Sequence, residues 1–134
     1  MTGRSELRVH RVAKGDSARP LRHALASFMK AAQVDEDTID DIVTAVGEAL
    51  ANAIEHAYDD GRDGRIELYV RLAEPGLAEV QVCDEGTFIQ REDRQGRGFG
   101  LRIVRSIARS VSIDTSGGTP VHMIFNAPRT EPAA

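Results

Sequence analysis

The alternation of apolar and polar residues changes period along the chain, and the changes mark the elements. Residues 6–12 (ELRVHRV) alternate, which predicts a strand, and the polar run KGDS at 14–17 predicts a turn. Leu21, Leu25, Phe28 and Met29 then recur at helical spacing, predicting a helix over roughly 18–32 with Ser17 or Asp16 as its cap. A longer helix is predicted over about 36–58, opened by Asp35 with Thr38 three residues later. Its apolar positions Ile39, Ile42, Val43, Val46, Leu50, Ala53 and Ile54 form a core-facing stripe, and DDGRDGR ends it in a turn.

Two strand-like runs follow, RIELYVRLA at 65–73 and AEVQVCD at 78–84, joined by Glu74, Pro75, Gly76 and Leu77 as a hairpin loop. These runs are expected to be antiparallel neighbours. Residues 85–98 (EGTFIQREDRQGRG) carry charge and glycine but no period, and their length suggests a functional lid. GLRIVRSIARS reads as a third helix, VSIDT as a strand, GGTP as a turn and VHMIFN as a last strand, with APRTEPAA as a disordered tail. Helices and strands are grouped, so the expected fold is α/β (α+β), a two-layer sandwich with helices on one face of a mixed, mostly antiparallel sheet.

Composition narrows the function. With 134 residues the chain fits one domain, its core over about 5–127 and one active site at most. The formal net charge of -4 and pI near 5.5 argue against direct contact with nucleic acid. One cysteine, Cys83, excludes an internal disulfide and a multi-cysteine zinc cluster, in keeping with a reducing compartment. No apolar run reaches membrane-span length and the first residues lack a signal-peptide core, so no membrane role is expected and the cytoplasm is the expected location.

Three segments could carry chemistry. Glu48, Asn52 and His56 stand four apart on the second helix and share a face opposite the apolar stripe. Taken alone, such a triplet reads first as a solvated helix face. Asparagine is nevertheless a mediocre mid-helix residue, and its amide oxygen suits Mg²⁺, with water and phosphate oxygens completing the octahedron. Glu48, one turn earlier, could accept a proton from an attacking hydroxyl or water.

Asp84 and Gly86 close the second hairpin strand as D-E-G. A carboxylate there can accept a hydrogen bond from an exocyclic amine such as that of adenine, and glycine lets a flat ring approach the backbone, although an ordinary turn has the same pattern. The run Gly96-Arg97-Gly98-Phe99-Gly100-Leu101 stands before a helix, where free N–H groups favour phosphate. It is neither a dinucleotide fingerprint nor a Walker loop, and a flexible helix start reads the same way. Arg97 and Arg102 are candidates for phosphate contacts. Gly117-Gly118-Thr119 precedes the last strand and alone is a simple turn.

In combination and order, helical E-x-x-x-N, strand-terminal D-x-G, a G-x-G at a helix start and a late G-T before a strand resemble the boxes of the GHKL ATPases. That superfamily includes DNA gyrase, MutL and the histidine kinases, and its ATP-binding module is the Bergerat fold. Within it GEALANAIEHAY at 47–58 looks most like the anti-sigma-factor serine/threonine kinases. The resemblance spans approximately residues 5–127. It implies ATP and Mg²⁺ as cofactors, with Asn52 as the metal ligand, Glu48 as catalytic base and Asp84 reading adenine. It places Gly86 beside the base, Thr119 near Asp84, and Arg97, Gly98, Gly100 and Leu101 around the phosphates. The full superfamily pattern D-x-G-x-G would require glycine where Phe88 stands.

The resemblance implies a kinase that phosphorylates a serine or threonine of a small anti-anti-sigma (STAS-type) protein and reversibly captures a sigma factor, and it admits a homodimer. The alternative is a non-catalytic nucleotide-binding anti-sigma module, which Phe88 favours. A histidine-kinase module would call for a phosphoacceptor helix domain, and a gyrase-type ATPase for transducing domains.

Overall fold

The computed structural model describes residues 5–12, 17–59, 65–84, 97–113 and 121–130. In chain order the elements are β1 (Glu6–Val12), α1 (Ala18–Ala31), α2 (Glu36–Asp59), β2 (Arg65–Ala73), β3 (Leu77–Asp84), α3 (Arg97–Ile107), β4 (Ser110–Ile113) and β5 (Val121–Asn126). The strands form one sheet in the order β1-β2-β3-β5-β4. Each of its four ladders is antiparallel, where the sequence allowed a mixed sheet. α3 carries the chain from β3 past the place of β5 to the edge, and β5 then returns between them. β3 and β4, each antiparallel to β5, therefore run parallel to one another, and the strand inserted between them makes every ladder antiparallel.

The sheet has one apolar face. Ile66, Leu68, Val70 and Leu72 alternate with polar residues along β2, and the register sets Leu68 against Val82 and Val70 against Val80. Val80 in turn faces Met123, and Ala78 faces Phe125, so three strands continue the same surface. Leu21, Leu25 and Met29 of α1, with Ile42, Val46 and Leu50 of α2, are buried in the same core. Each such side chain contributes roughly 1.5–3 kcal/mol. The helical stripes recognised from spacing are thus the contact faces. α2 packs against both α1 and α3, and all three helices reach the sheet.

The other face is polar and ionic. Arg8 lies over the Tyr69 ring at 4.5 Å and reaches Glu67 at 3.2 Å. Arg71 meets Glu79 at 2.8 Å, and His122 Nε2 lies 3.2 Å from the other oxygen of Glu79. The hydrogen bond from Arg71 holds the Glu79 carboxyl below its ordinary range, against a smaller opposing effect of burial. The same bond raises the Arg71 guanidinium.

Local chemistry accounts for the joints. Asp35 caps α2: its Oδ2 accepts from the Thr38 backbone N–H and from the Thr38 hydroxyl, each at 3.2 Å. Ser17 does not cap α1 through its side chain. Its hydroxyl donates instead to Val12 O at 2.6 Å, tying the end of β1 to the start of α1; Asp16 is outside the described residues. At the end of α1, Gln33 takes φ 67°, Val34 N–H donates to Met29 O and Gln33 N–H to Lys30 O, each at 3.0 Å, closing the helix.

The C-terminal stretch departs from the expected disordered tail. Ala127 is buried and donates its N–H to Gly76 O at 2.7 Å. Pro128 O accepts from Asp35 N–H at 3.0 Å, Arg129 pairs with Val34 in an isolated bridge, and Thr130 N–H donates to Gln33 O at 2.7 Å. Residues 127–130 therefore clamp the α1–α2 joint to the β2–β3 turn. Gly76, at φ 81°, supplies the left-handed residue that this turn requires. Composition alone pointed to disorder, because the hydrogen-bond partners of the stretch are remote in sequence.

Candidate functional site

The central helix carries the first two candidates. Glu48 and Asn52 lie one turn apart on α2, about 6 Å along its axis. On the side of the helix away from Val46 and Leu50, Asp37, Asp41, Thr44 and Ala51 are exposed, whereas Glu48 and Asn52 are half-buried. Neither carboxylate nor amide makes a hydrogen bond or ion pair with a described residue. A half-buried polar pair without such partners does not fit a plain solvated face, and it leaves both groups available to a ligand. The third member of the triplet, His56, is on α2 by its backbone, and its side chain is outside the described residues.

Beside this pair α1 comes close to α2. A Cβ at Gly47 would stand 2.9 Å from Arg22 Cδ, so glycine at 47 lets the Arg22 side chain lie against α2. Sequence spacing gave no sign of this approach, because it depends on how the two helices meet.

The strand and helix candidates border the same layer. Asp84 is the last residue of β3 and pairs with Ile66; the register puts position 84 on the sheet face that carries Val80 and Val82. Arg97, Gly98 and Gly100 belong to the first turn of α3, with Leu101 next to it, where the sequence placed the glycine run ahead of a helix starting at 100. α3 is thus shifted three residues towards the N-terminus at the same length, its glycines costing up to about 1 kcal/mol each relative to alanine, and buried Val104 with part-buried Ile107 anchors it to the core. At its other end α3 stops at Ile107, and Ser110 begins β4 instead of ending the helix. The first turn of a helix leaves backbone N–H groups without intrahelical partners, so an anion is favoured there. Gly86, Phe88, Gly96 and Thr119 lie outside the described residues, as do residues 85–96 of the lid expected over 85–98, whose last two residues, Arg97 and Gly98, open α3.

Among the described residues no three His, Cys, Asp or Glu side chains converge as a metal site. A cation at Asn52 would share that amide with oxygens brought by the ligand and solvent, a division that suits Mg²⁺. Also among the described residues, no helix is long and apolar enough to cross a membrane.

Residues 12–125 match the family described as the histidine kinase-like ATPase domain. Over 107 residues the chain is 38% identical to an anti-sigma F factor of Priestia megaterium, covering 71% of this chain and 73% of that protein. It is 26% identical to the anti-sigma F factor of Bacillus subtilis (strain 168) over 106 residues, with coverage of 71% and 73%. Among solved structures, one of the RsbU and RsbW domains of a Mycobacterium tuberculosis protein superposes with a TM-score of 0.74 at 27% identity. The superposition covers 96% of this chain but 34% of that one, so this chain spans about a third of the solved two-domain chain. The histidine kinase domain of a blue-light activated kinase from Erythrobacter litoralis shares the fold, with a TM-score of 0.60 at 24% identity over 85% of this chain and 66% of its own.

Proposed function

The chain belongs to the histidine kinase-like ATPase domain family, in its anti-sigma-factor branch, and from that membership we propose that it is an ATP-dependent protein serine/threonine kinase and anti-sigma factor. It captures a sigma factor in the cytoplasm and phosphorylates an anti-anti-sigma partner. The observation that carries this reading is the half-buried pair Glu48 and Asn52, one turn apart and without described partners, on a helix packed against α3.

In this reading each residue has a limited task. The Asn52 amide oxygen holds Mg²⁺, which supplies charge neutralisation for the triphosphate. The N–H groups of the first turn of α3, at Arg97, Gly98 and Gly100, receive phosphate oxygens beside Leu101, and the glycines keep side chains out of the way. The Asp84 carboxylate accepts a hydrogen bond from the adenine amino group, with Gly86 and Thr119 beside it. Glu48 accepts the proton of the attacking hydroxyl. Phosphoryl transfer asks mainly for positioning and charge compensation, which this set supplies.

A second reading has one observation in its favour. Phe88 stands where the full superfamily pattern has glycine, which suits a nucleotide-binding module that sequesters its partner without transferring phosphate. Incubation with radiolabelled ATP, Mg²⁺ and the anti-anti-sigma proteins encoded near this chain separates the two. Label on a serine or threonine of the partner is the expected result. Capture of a sigma factor with no label on any partner would establish the binding module instead.

A further inference from the structure

Charge is strongly segregated along this chain. Residues 94–113 contain five arginines and no Asp or Glu, in a protein of formal net charge -4. Residues 31–60 show the reverse, with nine acidic residues and no Lys or Arg. The basic run becomes a surface on α3: Arg102, Ile103, Arg105 and Ser106 are all exposed, Ile103 at 38%. Arg102 and Arg105 are three apart and so neighbours on one side of the helix. Two residues beyond the helix, exposed Arg109 donates to Asn126 Oδ1 at 3.3 Å, which fixes the far end of the strip against β5. The arginines thus line an outward face with an isoleucine at its margin, while Val104 alone among the side chains described on α3 turns fully into the core.

We infer that this face of α3 is the docking strip for the phosphoacceptor protein, which meets it with an acidic patch. The inference rests on the kinase reading. If the triphosphate lies at the first turn of α3, a protein that brings a hydroxyl to it must approach across that end of the helix. Beyond Arg102 the strip runs away from the phosphates, so Arg105 and Arg109 can hold a partner without taking part in nucleotide binding. Opposite charge there speeds encounter and fixes orientation. A nucleic acid fits less well, because an extended polyanion passing over α3 would also meet the acidic helix α2 packed beside it. A compact protein can touch the strip alone.

Steady-state phosphorylation of the anti-anti-sigma protein tests the strip, using wild type, Arg105→Glu, Arg105→Glu/Arg109→Glu, and Arg8→Glu as a charge reversal on the opposite side of the sheet. The double variant should raise KM for the protein substrate on the order of tenfold or more, with kcat and ATP affinity unchanged. Arg8→Glu should leave KM, kcat and ATP affinity unchanged, and the wild-type KM should rise with salt. If the double variant melts early, Arg105→Gln and the wild-type salt series carry the test. An unchanged protein KM at full ATP affinity, or a wild-type KM indifferent to salt, overturns the strip and leaves the kinase standing. Wild type that phosphorylates no partner overturns the kinase reading, and the strip with it. Binding of wild type to duplex DNA that Arg105→Glu abolishes overturns the protein partner in favour of nucleic acid.

Discussion

α2 and α3 bear the two ends of the proposed site, and they are built in opposite ways. α2 runs from Glu36 to Asp59, is capped by Asp35 and buries Ile42, Val46, Leu50 and Ile54 in the main core. α3 runs only from Arg97 to Ile107, has two glycines in its first turn, and of its described side chains buries Val104 alone. A long, capped and well-packed helix can hold a carboxylate and an amide in fixed positions. A short helix with a glycine start gives backbone N–H groups and room, at the expense of rigidity. The division suggests that side-chain chemistry belongs to α2, and accommodation of phosphate to α3.

The largest effect that could break this comparison is on stability. Leu50→Ala should destabilise the fold by about 2–5 kcal/mol, the range for truncating a large buried side chain whose surroundings relax only partly. Val104→Ala should cost less, about 1.6 kcal/mol for two buried methyl-sized groups. Urea unfolding gives both values, and hydrogen exchange should show the Val104→Ala loss concentrated in 97–107. Equal destabilisation by the two substitutions would mean that α3 is anchored as firmly as α2.

Next comes chemistry on the rigid helix. Glu48→Gln keeps size and hydrogen-bonding capacity but removes basicity, so phosphorylation of the partner should fall on the order of 10²-fold, about 2.7 kcal/mol of barrier. ATP affinity and sigma-factor capture should persist. A mutant that works at the wild-type rate would remove Glu48 from the role of base and leave α2 a scaffold only.

The contrast also explains what could be read in advance. α2 was legible because three local signals agree on it: the stripe, the Asp35–Thr38 start and the DDGRDGR end. The β2–β3 hairpin was legible for a similar reason, with alternating runs around a Glu-Pro-Gly turn. The start of α3 was not, because a glycine run reads equally as loop and as helix start. Nor were the clamp made by residues 127–130 and the seat of Arg22 over Gly47. Both join positions far apart in sequence, and no periodicity encodes them. Of the proposed site, Glu48 and Asn52 were singled out by spacing, but that they are half-buried and lack described partners came from the fold.

A smaller effect sharpens the comparison at the start of α2. Asp35→Ala removes the acceptor for the Thr38 N–H and hydroxyl and should cost about 1 kcal/mol. Thermal unfolding should detect this. Because the Asp35 N–H still bonds Pro128 O, the α1–α2 joint should keep its geometry, and ATP affinity should not change. A loss of ATP binding in this variant would mean that the cap positions Asn52 as well as stabilising the helix.

The smallest expected effect concerns the glycines of α3, and there the two helices should respond with opposite signs. Gly100 lies in the first turn of α3, where an alanine would lose less conformational freedom on folding. Gly100→Ala should therefore stabilise the protein by up to about 0.5–1 kcal/mol, seen as a rise in melting temperature of a few degrees. If glycine is there so that phosphate can approach the backbone, the same variant should bind ATP more weakly by calorimetry. Stability gained and affinity lost together would identify a position kept imperfect for its ligand, in contrast to Leu50 on α2, where packing alone is at stake. A variant that melts higher and binds ATP as wild type does would show that Gly100 serves neither phosphate nor fold. The first turn of α3 would then owe any anion affinity to its N–H groups and Arg97 alone.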